Sequence, residues 1–477
     1  MGFRSESGAS RIVVDAIRGD IRLEDREWRI LDTMAFQRLR SLKQLGMGQI
    51  TYPNATHTRF AHSLGTLGIM GRILDVAQAN RFHLSKSSRA NLRMAALLHD
   101  IGHYPYSHLM ERVGAVELTE ETVQRSDPGG AKTKEFLPAQ TGYPSHEEVG
   151  IEIVTHQEDL VRAIGGRVRA MAVAQLFART EAADAQLSKL LHSSFDMDRV
   201  DYLQRDSLAA GVPYGNIDVN YLLNSLRISP SGMVGVSEKA LPAAEQFLLA
   251  RFFMHQAVYY HKTTFGMEEA CRQLLRRIRD AGKFEMPSGK EAIFKIARSP
   301  LLASFTDAYV DSLVRLASQD EHIVIRTLGE CILRRRPPKL LKEVLVLRPD
   351  DQQHHAATTF RMRAKASLRA LAEKHSLPLG LLILCRTRPL RLEPRGPKMT
   401  RQQAQSLPSE QRDEMIMVFT PDSEEPKPLV EIDHSLISVC AGHFWQAHRL
   451  YVALPDDAQS DLVDSLRNEV RHWDQPE

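Results

Sequence analysis

The chain has 477 residues, more than one hydrophobic core normally organises, so two domains are expected. Its 43% hydrophobic and 25% charged residues are those of an ordinary globular protein, and 62 Lys and Arg against 59 Asp and Glu leave a formal charge of +3, which gives no global argument for a nucleic-acid partner. Four scattered cysteines, Cys271, Cys331, Cys385 and Cys440, form no CxxC pair; this excludes a zinc knuckle and a disulfide framework and favours reduced thiols in a cytoplasmic protein.

The opening MGFRSESGAS lacks the apolar core of a secretory signal and, with Glu6 at the sixth position, the myristoylation pattern. No apolar run approaches the ~20 residues that span a bilayer, so no membrane association is expected. From about Ile21 to Tyr260 the spacing predicts mostly helix, with Leu31, Met34, Ala35, Leu39 and Leu42 recurring at three- and four-residue steps. Residues 91–99, NLRMAALLH, read as a buried helix with its polar groups at the C-terminal end. About 115–145, with Asp-Pro-Gly-Gly inside it, reads as an irregular insertion. Helical spacing returns at 146–191 and 241–283.

After about residue 285 short β-rich runs appear (EVLVL, LGLLILC, EMIMVF, RLYVAL) around one helical segment, 359–374. Pro337-Pro338, residues 386–412 and Pro421 to Pro428 read as connections. The fold class expected is mainly α, with a helical core over 1–288 and a smaller α+β C-terminal region over 289–477 in a regulatory or oligomerising role. Internal repeats and low-complexity tracts are absent from the sequence.

The strongest chemical signal is LLHDIGHYPYSH. On a helix His99 and His103 stand at i and i+4, Asp100 and His103 at i and i+3, and His108 follows a turn promoted by Pro105. Imidazole nitrogens and a carboxylate so close together suit a divalent metal, which lowers the pKa of its water. A lone histidine more often packs than coordinates; four such groups in one apolar-flanked segment reverse those odds. HTRFAHSLG adds Arg59 and His62, SHEEVG adds His146, and SSFDMDRVDYLQRD adds Asp196, Asp198, Asp201 and Asp206 with Arg199 and Tyr202 between them. Each of these is weak alone, since Asp-rich stretches are usually solvated faces.

Together they resemble a known family. His62, His99-Asp100 and Asp198 look like the ligand quartet of the HD phosphohydrolases. RLRSLKQLGMGQITYPNATHTRFAHSLG, LLHDIGHYPYSH, SHEEVG, DMDRVDYLQRD and VYYHK follow the order seen in the SAM-and-HD-domain dNTP triphosphohydrolases and their bacterial dGTPase-like relatives. The similarity covers roughly residues 11–285, and no SAM domain is expected before it. The helical core is then an HD domain. The resemblance implies that His62, His99, Asp100 and Asp198 hold one divalent metal ion (Fe, Mn, Zn, Mg, Ni or Co, which the sequence does not distinguish). It implies that His103, His108 and His146 line the phosphates as catalytic groups, His108 being the proton donor, and that Arg59, Arg199 and Arg251 hold phosphate oxygens. Gln44, Leu45, Tyr202 and Asp206 would face the sugar, and Tyr259 would crowd the ribose 2′ position. Arg199 stands where the family usually has Lys, which turns a point charge into a planar fork. Tyr260 stands where vertebrate members have Gln near the base edge, which leaves base preference open.

Regulated relatives bind a guanine nucleotide between subunits, and Arg11, Asp32, Gln37 and Arg40 match the residues that read it. The implied function is metal-dependent hydrolysis of deoxynucleoside triphosphates to deoxynucleoside and tripolyphosphate, activated by GTP or a dNTP in a homodimer or homotetramer. One alternative is an HD phosphodiesterase or 5′-nucleotidase. Another is a nucleotide-sensing or single-stranded nucleic-acid-binding protein whose HD site is regulatory. Two basic clusters, Arg334-Arg335-Arg336 with Lys339 and Lys342, and Arg386, Arg388, Arg391, Arg395, Lys398 and Arg401, have few aromatics among them. They read as solvated surface or an inter-subunit anion site before they read as a nucleic-acid platform. Phe444 and Trp445 read as core.

Overall fold

Residues 11–23 form an antiparallel hairpin, β1 (Arg11–Asp15) with β2 (Gly19–Leu23), in register Arg11 to Leu23. Its turn is made by Asp15, whose Oδ1 accepts from the backbone of Ile17 at 3.0 Å and Arg18 at 2.8 Å, and by Gly19 at φ 67°, the left-handed region that suits glycine. The computed structural model of the chain describes residues 11–114, 142–180, 183–192, 195–229, 233–347, 351–392, 415–423, 425–440, 443–455 and 460–475. The insertion expected at 115–145 lies, over 115–141, outside the described residues, as do Arg395, Lys398 and Arg401.

Beyond the hairpin the first half of the chain is mainly helical. α1 (Asp25–Leu31) opens with a capping box between Glu24 and Glu27. α2 (Arg59–Ala79) is the central rod, buried on nearly every side from Arg59 to Met70. α3 (Lys86–Leu98) starts at Ser85, whose Oγ accepts from Ser88 N at 3.0 Å, and buries Met94 to Leu98 before ending at His99. α4 (His146–His156) carries a second capping box, Ser145 with Glu148, and α5 (Arg167–Phe177) packs on it and on α3. α6 (Met197–Ala210) is capped by Asp196 and stopped by Gly211 at φ 69°. α7 (Leu241–Met254) runs through a π-turn, His255–Tyr259, into α8 (Lys262–Asp280).

Two close approaches set the site's geometry. A Cβ on Gly65 of α2 would stand 2.1 Å from Asp201 Oδ1 on α6. A Cβ on Gly102, after α3, would stand 2.0 Å from the His146 carbonyl of α4. Only glycine lets these helices come so near.

The main apolar core continues beyond the first 288 residues into α9 (Asp307–Ala317) and α10 (Ile323–Leu333), where Val310, Leu313 and Leu328 join Leu67 and Leu97 in one cluster. Ile21 to Tyr260 is mostly helical, as expected, and also contains the end of β2 and the short strands β3 (Leu226–Ile228) and β4 (Val234–Ser237). Strands of three to five residues give too few alternations to outweigh the helical spacing around them.

The C-terminal region is a smaller α+β layer. Its sheet contains β5 (Lys339–Val346), β6 (Leu382–Arg386) and β7 (Leu390–Arg391) and, after β8 (Met417–Phe419) and β9 (Lys427–Pro428), the central β10 (Phe444–Val452). β10 pairs antiparallel with β5, β6 and β7. The strands expected at EVLVL, LILC, MVF and RLYV are present, but β8 pairs parallel with β4 and so ties the C-terminal stretch back to the first half of the chain. One sheet face packs on α11 (Asp351–Lys374) and α12 (Ser460–Val470). The other meets α8 through Tyr451, whose hydroxyl donates to the Lys262 carbonyl at 2.8 Å. α11 begins earlier than the expected residue 359, because its first turns carry His354 where the apolar repeat needs a hydrophobe. Among the described residues no helix is long and apolar enough to cross a membrane.

Candidate active site

Three helices converge on the expected quartet: the first turn of α2 brings His62, the end of α3 brings His99 and Asp100, and the first turn of α6 brings Asp198. His62 Nε2 lies 3.0 Å from Asp198 Oδ1 and 3.7 Å from Asp100 Oδ2. His99 Nε2 lies 3.3 Å from Asp100 Oδ1 and 3.7 Å from Asp198 Oδ1.

Hydrogen bonds on the far side of each ring fix which nitrogen faces the centre. His99 Nδ1–H donates to the Ala96 carbonyl at 2.9 Å, and His62 Nδ1–H donates to Asp201 Oδ2 at 2.9 Å. Both Nε2 lone pairs therefore point inward, where among the described residues carboxylate oxygens meet them. His99 Nε2 is buried with no hydrogen-bond partner. Acceptors facing acceptors in a buried space require a cation between them. These donors, two imidazoles and two carboxylates, fit a divalent transition ion. A proton is the other cation able to sit there. Burial opposes charge on His62, but its bonds to Asp198 and Asp201, with Asp100 close by, outweigh that and push it up to about 10. Against the same burial, His62 and His99 hold Asp198 far below the usual carboxylate range.

Asp100 is gripped from behind. Arg59, 4% exposed, donates from Nη1 to Asp100 Oδ2, and its Nε and Nη2 reach Ser107 Oγ at 3.1 and 2.9 Å. His103 Nε2 is 3.1 Å from Asp100 Oδ1. Arg59 is thus committed to protein partners and fixes the carboxylate that faces the two imidazoles.

Beside the quartet lies a histidine cluster. His103 stacks on His146 with ring centroids 4.1 Å apart, and His108 meets both edge-on at 5.0 and 5.3 Å. Glu111 joins them: its carboxylate lies 2.8 Å from His108 Nδ1 and 3.2 Å from His146 Nδ1 and also accepts from the His146 backbone at 3.1 Å. Burial opposes charge on His146, yet Glu111 and Glu147 push it up to about 9. Burial, with the charges of Arg59 and His146, holds His103 well below its ordinary range. The two stacked rings are therefore one charged and one neutral. The turn that presents His108 uses two consecutive non-glycine residues with positive φ, Tyr106 at 51° and Ser107 at 57°, so backbone strain is stored next to the exposed imidazole.

On the other flank, buried Asp206 accepts from the Tyr259 hydroxyl at 2.7 Å, and its second oxygen lies 2.7 Å from His57 Nε2. The Tyr202 ring meets Tyr259 edge-on at 6.1 Å. Gln44 is joined to this group through its backbone bond to His57, 3.0 Å, and its Oε1 is buried without a partner. Leu45 packs against the main core. Arg199 lies 3.6 Å from Asp196, and half-buried Arg251 sits one turn before His255, whose Nδ1–H donates to its carbonyl at 2.9 Å. Tyr260 turns instead toward the C-terminal sheet and stacks on Trp445 at 5.9 Å, and Trp445 is core as expected.

In the effector set, Arg40 Nε donates to Gln37 Oε1 at 2.8 Å, and Gln37 Nε2 donates to the Leu31 carbonyl at 2.7 Å. Asp32 caps the end of α1, and the Arg11 guanidinium lies over the Trp28 ring at 4.8 Å.

Sequence reasoning missed Glu111, Asp201 as the partner of His62, and His57. Glu111 stands three residues after His108 and Asp201 three after Asp198; that spacing was the available signal.

Residues 59–206 match the HD domain family, and residues 217–292 match the HD associated region. An uncharacterized Bacillus subtilis protein, YwfO, is 32% identical over 251 residues, 52% of this chain and 51% of its own length. The deoxynucleoside triphosphate triphosphohydrolase SAMHD1 homolog of Dictyostelium discoideum is 27% identical over 266 residues, 55% of this chain and 48% of its own. The chain thus spans about half the length of these curated relatives. A solved phosphohydrolase from Bacteroides thetaiotaomicron shares the fold, with a TM-score of 0.66 and 22% identity over 93% of this chain and 100% of that one. All four quartet residues fall inside the matched HD segment, and the associated region follows it: residues 59–206 are an HD domain.

Proposed function

We propose that this protein hydrolyses deoxynucleoside triphosphates to deoxynucleoside and tripolyphosphate. HD-domain proteins are generally phosphohydrolases. What narrows the reading is the Tyr259–Asp206 hydrogen bond, 2.7 Å, which fixes an aromatic wall on one flank of the quartet while a histidine cluster stands on the other. The triphosphohydrolase named among the relatives supports the same substrate class.

A divalent ion in the quartet would supply Lewis-acid polarisation of a phosphoryl oxygen and activate the attacking water. The chain's own residues do the rest. A triphosphate brings about four negative charges, met by Arg199, Arg251 and protonated His146. His103, neutral, donates or accepts without adding charge. His108, held by Glu111, gives its proton to the departing 5′-oxygen of the deoxynucleoside as its bond to the α-phosphorus breaks, a contribution of roughly 10²–10⁴-fold for general acids. Arg59 acts behind Asp100, holding its carboxylate in place. Tyr202, Asp206, Gln44 and Leu45 take the sugar, and the Tyr259 ring, held by Asp206, is the group that would crowd a 2′-hydroxyl. GTP or a dNTP bound at Arg11, Asp32, Gln37 and Arg40 would assemble and activate a homo-oligomer.

The test is incubation with each dNTP and rNTP, alone and mixed, with Mn²⁺, Fe²⁺, Mg²⁺, Co²⁺, Ni²⁺ or Zn²⁺, and with products resolved by ion exchange. Deoxynucleoside and tripolyphosphate in equal amounts are expected, with rNTPs spared. Release of orthophosphate alone, or turnover of monophosphates only, overturns the assignment.

A further inference from the structure

Among the described residues, the helix-covered face of the C-terminal sheet gathers two arginines and two histidines with no acidic partner. Leu450 and Val452 of β10 pack with Phe360 and Ala364 of α11. His448 lies two residues before Leu450, on the same face. It is 3% exposed, and its Nδ1 has no hydrogen-bond partner. In the strand register it stands opposite Arg386 on β6 and Val344 on β5. Residues paired across antiparallel strands present neighbouring side chains to one face.

α11 completes the set. Ala357, Ala364 and Leu368 recur at the spacing of a sheet-facing stripe, and all three belong to the sheet–helix cluster. His354 and Arg361 fall on that stripe, at three- and four-residue steps from Ala357 and Ala364. Among the described residues, none of the side chains of His354, Arg361, Arg386 and His448 makes a hydrogen bond or ion pair. Burial, then Arg361, Arg386 and His354, push His448 down to about 4, and burial with Arg386 lowers Arg361. Every charge acting on these two groups has the same sign. His354 and Arg386 are exposed and Arg361 is half-buried, so the set opens to solvent, and an anion entering there meets basic groups and no described acid.

We propose that His354, Arg361, Arg386 and His448 form a binding site for a small oligophosphate, either the phosphate chain of a nucleoside triphosphate or free tripolyphosphate. Two guanidinium forks supply bidentate contacts, and the imidazoles supply single donors.

Calorimetric titration of the full chain with tripolyphosphate, and separately with an α,β-imido deoxynucleotide, tests this in the wild type and in an Arg361→Gln/Arg386→Gln variant. One binding event present in the wild type should weaken at least tenfold in the variant. Equal affinity for both ligands assigns the site to the phosphate chain, and selective binding of the imido compound assigns it to a nucleotide; both support the site. In ligand-free buffer the variant should melt at or above the wild-type temperature, since repulsion is removed, and tripolyphosphate should raise its melting temperature less. Identical titrations, a ligand-free melting temperature several degrees lower, or arginine-dependent binding of single-stranded DNA in preference to tripolyphosphate would each overturn the proposal.

Discussion

Asp201→Asn separates the support of the metal centre from the metal centre itself. Asp201 is fully buried, and every contact it makes is with a donor. Oδ2 takes His62 Nδ1–H at 2.9 Å and Arg205 Nε at 2.7 Å; Oδ1 takes Arg18 Nε at 2.9 Å and Arg205 Nη2 at 3.0 Å. An asparagine must turn its NH₂ toward one of these donors. Hydrogen bonds to charged groups contribute about 1.5–3 kcal/mol each. Arg205 keeps Asp15 at 2.9 and 3.1 Å, so the loss is cushioned; a destabilisation of about 3 kcal/mol is expected, the low end for breaking a buried pair. Freed from its carboxylate, His62 should bind Mn²⁺ about 10–100-fold more weakly, as for other partners standing behind metal-ligating histidines. Denaturation in chelator measures the first effect and calorimetry with Mn²⁺ the second. Asp15→Asn is the control, losing stability while keeping metal affinity, because it touches Arg205 and not His62. Burial opposes ionisation of Asp201, but its partners hold the folded-state pKa below the ordinary value. Its contribution is therefore complete above the unfolded pKa of about 4 and fades as pH falls through the lower folded value. The wild-type advantage should shrink in acid. Mn²⁺ affinity within twofold of wild type in a folded Asp201→Asn protein would refute this reasoning.

His99→Ala should abolish turnover and leave a cooperatively folding protein, checked by circular dichroism melts beside the activity assay. Gly102→Ala places a Cβ 2.0 Å from the His146 carbonyl and 2.3 Å from Gly150 N, both rigid backbone of α4; insoluble protein, or a loss of several kcal/mol in denaturant melts, is expected. His146, raised to about 9 in the folded state from an ordinary 6.5, stabilises the protein fully below pH 6.5 and loses that contribution as pH rises through 9. Its NMR titration midpoint should fall toward or below 6.5 in Glu111→Gln; an unmoved midpoint would show that Glu111 is not its anchor.

The helical core and the quartet were legible because both are written locally. A run such as Met94 to Leu98 declares a buried helix, and His99-Asp100 at its end declares chemistry. The outer layer was not legible in the same way. Asp201 meets His62 across 139 residues, and His57 meets Asp206 across 149, so each looks like an ordinary polar residue until the helices pack. The hairpin β1–β2 and the strands β3 and β4 are too short to announce themselves. β8 pairs with β4 by a contact that no local pattern encodes. The basic residues of the C-terminal region could be counted in the sequence, but their separation into those with partners and those without depended on the register of β10.

Asp100 shows why a quartet alone underdescribes the site. Its two oxygens face His99 and His103 on one side and Arg59 on the other. Burial works to protonate it, and Arg59 with the two histidines keeps it ionised. A carboxylate caught between a fixed guanidinium and an inward lone pair cannot swing away when the site is filled or emptied. The same holds for His62 and His99, whose outer nitrogens are already committed to Asp201 and to the Ala96 carbonyl. Every hydrogen-bond partner outside the centre thus removes one freedom from a ligand inside it. Because the orientations are set by helix packing before any ion arrives, little ordering entropy is left to lose on binding. Gly65 and Gly102 are where that packing is closest, so the positions that most constrain the chemistry are two residues that have no side chain to take part in it.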